Sequence, residues 1–174
     1  MAKSSLNSED RRQILDSLME YVTHILEEKR EEFSGLAVCP FVKADRITDQ
    51  LFLDIFDNQA DTLVDVILRF VRSNKRSALI AQINTEIGSE ETKDYQEFIN
   101  IVIESTGVGE VKALCFNPND NLDVEGYNPR SKAPYFLINM AYTDDLSKAH
   151  NSLKRTKYYD KMPVEYIRYL GVKK

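Results

Sequence analysis

Two cysteines and two histidines are all that the 174-residue sequence offers in the way of soft metal ligands. A single cysteine pair defines no disulfide framework, and Cys39, Cys115, His24 and His150 show no zinc-like spacing, so neither a disulfide scaffold nor a metal is expected. A reducing compartment would leave both cysteines as thiols. No apolar run approaches the roughly 20 residues that span a bilayer, and residues 1–8 lead into a charged helix rather than a signal-peptide core. A cytoplasmic protein without a membrane partner is therefore expected. There is no Gly-rich phosphate loop, no G-x-S-x-G elbow, no H-E-x-x-H and no C-x-x-C, which disfavours the corresponding mechanisms and implies no cofactor. Positive charge is also in short supply. With 23 Lys and Arg against 28 Asp and Glu, the formal charge of −5 has the wrong sign for general attraction to nucleic acid. A short aromatic and basic stretch, Tyr158 and Tyr159 among Lys154, Arg155, Lys157 and Lys161, does not reverse that.

What is present is the composition of a globular domain, 43% hydrophobic and 29% charged, in a chain long enough for one core and too short for two. The expectation is a single α/β domain over residues 1–174, with a flexible tail over 1–7. Asn7 and Ser8 offer N-caps to an amphipathic helix carrying Ile14, Leu15, Leu18, Val22, Ile25 and Leu26, predicted to run to about Phe33 and stop near Gly35. Leu51, Leu53 and Ile55 alternate as in a strand. Asp57 and Asn58 should cap the next helix, whose stripe includes Leu63, Val64, Ile67, Leu68 and Val71. Residues 78–83 read as a central strand, residues 89–106 as a helix stopped by Gly107, and residues 111–116 as a strand. Residues 135–141 form a further strand, Thr143 opens a helix to about Leu153, and Pro163 opens a short last one. This order predicts one mixed sheet of about four strands covered by helices. Strands joined through helices should be parallel neighbours, and the last strand, joined by the long loop, is free to run antiparallel.

Four of the five prolines and both cysteines fall in two stretches, residues 36–43 and residues 115–136. The second contains a loop of about 18 residues, 117–134, longer than most structural connections and therefore a candidate functional loop. Cys39 follows a helix, with Lys43 and Arg46 close in sequence. Positive charge there would lower the thiol pKa and favour a nucleophilic or redox role, whereas the alternative is a small buried residue in a turn. Cys115 reads as a core residue. Arg130, Ser131 and Lys132 between Pro129 and Pro134 form a stiff, donor-rich segment suited to a carboxylate or phosphate. The alternative is a solvated loop held by a surface ion pair to Asp120, Asp123 or Glu125. Asn117 and Asn128 each precede proline and favour turns. His24 and His150, with no partners visible in the sequence, read as structural or exposed.

Taken together, Cys39-Pro40-Phe41, Phe116-Asn117-Pro118 and residues 128–136 resemble a bacterial domain family of unknown function typified by Leu-Cys-Pro-Phe-Ala, Phe-His-Pro and Asn-Arg-Ser-Pro-Tyr-Pro motifs. The resemblance runs from about Leu36 to Leu153. Cys39, Pro40, Phe41, Phe116, Pro118, Arg130, Ser131, Pro134 and Tyr135 match. Asn117 stands where the family has histidine, which removes a titratable group. Pro129 intrudes after Asn128, Lys132 and Ala133 are inserted, and Phe136 replaces the last proline. The resemblance implies a fold and a site location, with no activity attached. The expected site comprises Cys39, Lys43, Asn117, Asn128, Arg130, Ser131 and Tyr135. In it Cys39 would be the nucleophile or redox thiol of an enzyme or enzyme-like protein acting on a small anionic molecule or peptide. A non-catalytic ligand-binding or protein-interaction module is the alternative.

Overall fold

The structure, a computed structural model, describes residues 6–172. Helix α1, Ser8–Tyr21, begins where Asn7 Oδ1 accepts a hydrogen bond from the Asp10 N–H at 2.8 Å, and it buries Ile14, Leu18 and Tyr21. Of the tail expected over residues 1–7, residues 1–5 lie outside the described residues, while Leu6 packs against the core and Asn7 is the cap.

The first helix ends earlier than its periodicity suggests. After a π-helical turn at Val22–Leu26 the chain enters β1, Lys29–Arg30, which pairs antiparallel with β2, Leu36–Ala37. The reason lies in residues 27–32, Glu-Glu-Lys-Arg-Glu-Glu, which offer no apolar group to continue the stripe. Phe33 is fully buried only because the chain reverses around Ser34 and Gly35, both in the left-handed region at φ 57° and 77°. The hairpin delivers the Cys39-Pro40-Phe41 turn, and a short helix not foreseen from the sequence follows it, α2, Val42–Ile47, burying Val42 and Asp45.

Strand β3, Leu51–Asp57, leads to helix α3, Leu63–Ser73. The cap is Thr62 rather than Asp57 or Asn58: Thr62 Oγ1 accepts from the Asp65 N–H at 3.2 Å, and the Asp65 carboxylate accepts from the Thr62 N–H at 2.9 Å. Asp57 is occupied otherwise, its Oδ1 accepting from the Gln59 N–H at 3.0 Å and from Asn84 Nδ2 at 2.7 Å. Strand β4, Ser77–Ile83, helix α4, Thr92–Thr106, and strand β5, Val111–Phe116, follow. Gly107, at φ 68°, ends α4 as expected. Strand β6, Phe136–Tyr142, helix α5, Thr143–Leu153, and helix α6, Val164–Tyr169, complete the fold.

The main sheet has the order β3-β4-β6-β5, with β3 and β4 parallel and β6 antiparallel to both of its neighbours. The mixed four-strand α/β architecture is as expected, and so is the antiparallel last strand. The expected adjacency of β4 and β5 is not found, because β6 lies between them. Physical chemistry favours that order: β6 carries apolar residues on both faces, whereas β5 carries exposed Lys112 and is suited to an edge.

The pleat divides the core in two. On one face, Ala78, Ile80, Ile138 and Met140 pack under α3 and α4 through Val66, Phe70, Ile99 and Ile103. On the other, Ile55, Leu79, Ala81 and Leu137 pack against α1 residues Ile14, Leu18 and Tyr21, and against the C-terminal aromatics Tyr158 and Tyr166. This second face also carries the cavity described below. Among the described residues, no helix is long and apolar enough to cross a membrane, and no cluster of His, Cys, Asp or Glu could hold a metal ion.

Candidate ligand cavity

Residues of β5 alternate between the two faces, so Lys112, Leu114 and Phe116 border the α1 side while Val111, Ala113 and Cys115 are packed under α4. Above Phe116 is a cavity of about 270 Å³, closed by the Cys39-Pro40-Phe41 turn, by Pro129 and Arg130 from the long loop, and by α5 and α6. Two of the proline-containing segments thus converge on one cavity, roughly 90 residues apart in the chain.

Arg130 is the unusual member of its wall. It opens a single 3₁₀ turn, Arg130–Lys132, which Asn128 organises: its Oδ1 accepts from the Arg130 and Ser131 N–H groups at 3.0 and 3.2 Å, while its Nδ2 donates to the Asp120 carbonyl. The Arg130 side chain is fully buried, and its Nη1 is paired with the Asp120 carboxylate at 3.0 Å. The loop is therefore pinned by an ion pair, as the sequence allowed, but an internal one. Its guanidinium carbon lies 3.8 Å from the ring centroid of Tyr169 and 4.7 Å from that of Tyr166. The remaining nitrogens, Nε and Nη2, are buried and have no hydrogen-bond partner among the described residues, and the same holds for Tyr169 Oη. Nε and Nη2 form the edge of a guanidinium that receives a carboxylate through two parallel N–H···O bonds. Leaving such donors unmet in an apolar interior is costly.

Cys39 lies on the same cavity and is half-buried. Burial pushes its thiol pKa up, and the Asp45 carboxylate adds to the rise; the backbone N–H groups of Phe41 and Val42 act in the opposite direction but are outweighed. The neighbouring cations do not counter this: Lys43 projects from α2 as an exposed residue, and Arg46 is bound in a fork to Glu27. Activation of the thiol by nearby positive charge, as the sequence suggested, is thus not what the geometry provides.

Other expected site residues do not gather here. Asn117 falls one residue beyond Phe116 and so faces the opposite side, fully buried, with Nδ2 donating to the carbonyls of Ile87 and Gly88 at 3.0 and 3.2 Å and to Thr92 Oγ1 at 2.9 Å. Its Oδ1 accepts from the Asn119 N–H at 2.9 Å. It fastens the end of β5 to the start of α4 and is not a ligand-positioning group of this cavity. Cys115 is likewise under α4, where burial raises its pKa, and it is a free thiol separated from Cys39 by the sheet. Ser131 is exposed and donates to the Asn128 carbonyl at 2.7 Å, while Tyr135 packs partly against the core without bordering the cavity.

The cavity also includes residues that sequence reasoning did not assign to the site. Tyr21 donates to the Pro129 carbonyl at 2.8 Å and Tyr158 to the Val38 carbonyl, so α1 and the C-terminal segment each fix one of the converging turns. Burial raises the pKa of both hydroxyls. His150, on α5, pairs its Nδ1 with Tyr159 Oη at 2.7 Å. Burial, then Lys154 and Lys112, lower the His150 pKa, and burial raises that of Tyr159 to about 12. Lys112 and Arg168, both exposed, border the opening and give it positive character. The available signal was the tyrosine content of residues 158–169, whose burial no local pattern announces.

Fold and cavity together define a mixed α/β domain with an aromatic-walled, arginine-bearing pocket. Comparison with known proteins adds no family to this description: no protein family, curated protein or solved structure matches the chain.

Proposed function

We propose that the protein binds a small organic monoanion, a carboxylate on an apolar or aromatic body, in the cavity between the Cys39 turn and the Arg130 turn. One observation carries this reading: Arg130, whose Nε and Nη2 are buried and without hydrogen-bond partners among the described residues, borders a cavity walled mostly by rings and aliphatic groups. The charge of Arg130 is already balanced by Asp120, so a monoanion suits the site better than a dianion. Lys112 and Arg168 at the opening would draw an anion inward. A volume of about 270 Å³ suits a small molecule rather than a peptide.

Calorimetric titration tests the reading with hexanoate and 3-phenylpropanoate, against hexanol as the uncharged control. Binding by the carboxylates should weaken at least tenfold in Arg130→Lys, which keeps the charge beside Asp120 but loses the fork. Equal binding by the variant, or by hexanol, would refute it.

A second reading keeps Cys39 as a nucleophile acting on the same ligand. It is favoured by the place of Cys39 on the cavity wall and opposed by the upward shift of the thiol. Iodoacetamide separates the two. A Cys39 alkylated faster at pH 7 than a free-cysteine peptide would establish an activated thiol, while slower reaction supports a binding role alone.

A further inference from the structure

A second cavity, of about 380 Å³, lies on the other side of Cys39, between α2 and α5. The two cavities share Leu26, Cys39, Phe41, Phe116, Asn139, Leu146 and Ala149 as a common wall. Beyond it the second is floored by Leu51, Leu79 and Ala141, and its buried carboxylate, Asp45, is satisfied by Ser77 Oγ at 2.7 Å and Arg76 Nη1 at 3.2 Å. The rest of its lining is mostly apolar, with Asn139, Asp145 and Lys148 as its other polar residues, whereas at the Arg130 end three buried polar atoms lack partners among the described residues. Each cavity alone is near the lower end of the volumes that hold small ligands, and the pair lies well inside that range. Within that wall Phe41 is more than a third exposed and is not locked in the core.

We propose that the ligand is a straight-chain amphiphile, its carboxylate held on the free edge of Arg130 and its alkyl chain running past Cys39 and Phe41 into the second cavity. This rests on the carboxylate reading above and adds the shape of the ligand to it. One end of the path holds the unpartnered donors of Arg130 and the other a mostly apolar wall whose buried carboxylate is already paired, which suits the head and tail of a fatty acid. Asp120 beside Arg130 makes a phosphate dianion the poorer head group.

The experiment is a chain-length series, hexanoate through dodecanoate, with dodecanol and dodecyl phosphate as head-group controls. It is titrated against the wild-type chain and against Ala44→Trp and Lys148→Trp. Both substituted residues are exposed and border only the second cavity, so either bulky replacement should fill it without disturbing the fold or the Arg130 end. Wild-type Kd should fall about fourfold per added methylene once the first cavity is full, and the two variants should lose that gain while binding hexanoate normally. A wild-type Kd flat from hexanoate onward, or the same chain-length gain in both variants, would overturn the amphiphile while leaving the Arg130 reading intact. Dodecanol binding as tightly as dodecanoate, or no binding by hexanoate, would instead defeat the Arg130 reading itself. Dodecyl phosphate binding more tightly than dodecanoate would overturn the carboxylate head.

Discussion

Replacing Arg130 by Met removes a charge from the interior while keeping most of the unbranched stem, and its cost can be worked from the surroundings. The Asp120 carboxylate would be left with the Leu122 N–H, at 2.7 Å, as its remaining partner in a site where its side chain is only 11% exposed. Breaking a buried pair from one side costs about 3–5 kcal/mol, because the surviving charge is uncompensated. Loss of the contacts with Tyr169 and Tyr166, at 3.8 and 4.7 Å, adds up to about 1 kcal/mol. For a chain of 174 residues each kcal/mol moves the midpoint by about 2–4 °C, so Tm should fall on the order of 10 °C. The double variant Asp120→Asn/Arg130→Met removes the stranded charge as well and should regain about 2 kcal/mol or more of that loss. Urea unfolding followed by circular dichroism, with thermal melts, measures all four members of the cycle. If Arg130→Met lies within about 1 kcal/mol of wild type, as for an exposed pair, or if the two substitutions simply add, the internal ion pair is not as described.

The remaining predictions concern the surroundings of the cavity. Asn117→Ala should lower stability by about 2–3 kcal/mol, because it strands the Ile87 carbonyl and the Asn119 N–H, yet leave carboxylate affinity unchanged; a loss of affinity without loss of stability would put Asn117 in the site. Thr62→Ala should cost about 1 kcal/mol in urea unfolding through loss of the capping box, while an unchanged midpoint would refute Thr62 as the cap. His150 has a lowered pKa in the fold, so the unfolded chain binds its proton more readily, and the stability it confers is complete above its ordinary pKa of 6.5 and declines as pH falls through the lower folded value. Unfolding measured from pH 7.5 down to pH 5 should therefore show a stability loss that is smaller in His150→Gln; an equal loss in both chains would refute the assignment.

How much of this was legible in the sequence depends on how local each decision was. The strands at 51–57 and 111–116 follow from alternation and the helix opened by Thr143 from the acidic first turn at Asp144 and Asp145, all within a few residues, and they fall within a residue or so of their expected limits. Sheet order is a different matter. That β6 enters between β4 and β5 depends on both of its faces finding apolar partners, which alternation within one strand does not express. The early end of α1 was written in the unbroken polar run at residues 27–32, but the π-helical turn and the hairpin that follow depend on burying Phe33.

The site was legible at two points, the Cys39 turn and Arg130, which do share one cavity. Asn117 was misjudged for a reason the sequence contains: neighbours in a strand face opposite ways, so Phe116 and Asn117 could not both border the same pocket. The tyrosines at 158, 166 and 169 were beyond reach, because only tertiary packing brings the C-terminal segment over Arg130.

The account turns on the unpaired edge of Arg130, and the side-chain Nε–H resonance of that residue reports on it directly. In a ¹⁵N spectrum, that resonance, identified by its disappearance in Arg130→Lys, should shift progressively on titration with dodecanoate and remain still with dodecanol. Saturable dodecanoate binding that leaves the Arg130 resonance unmoved would contradict the account.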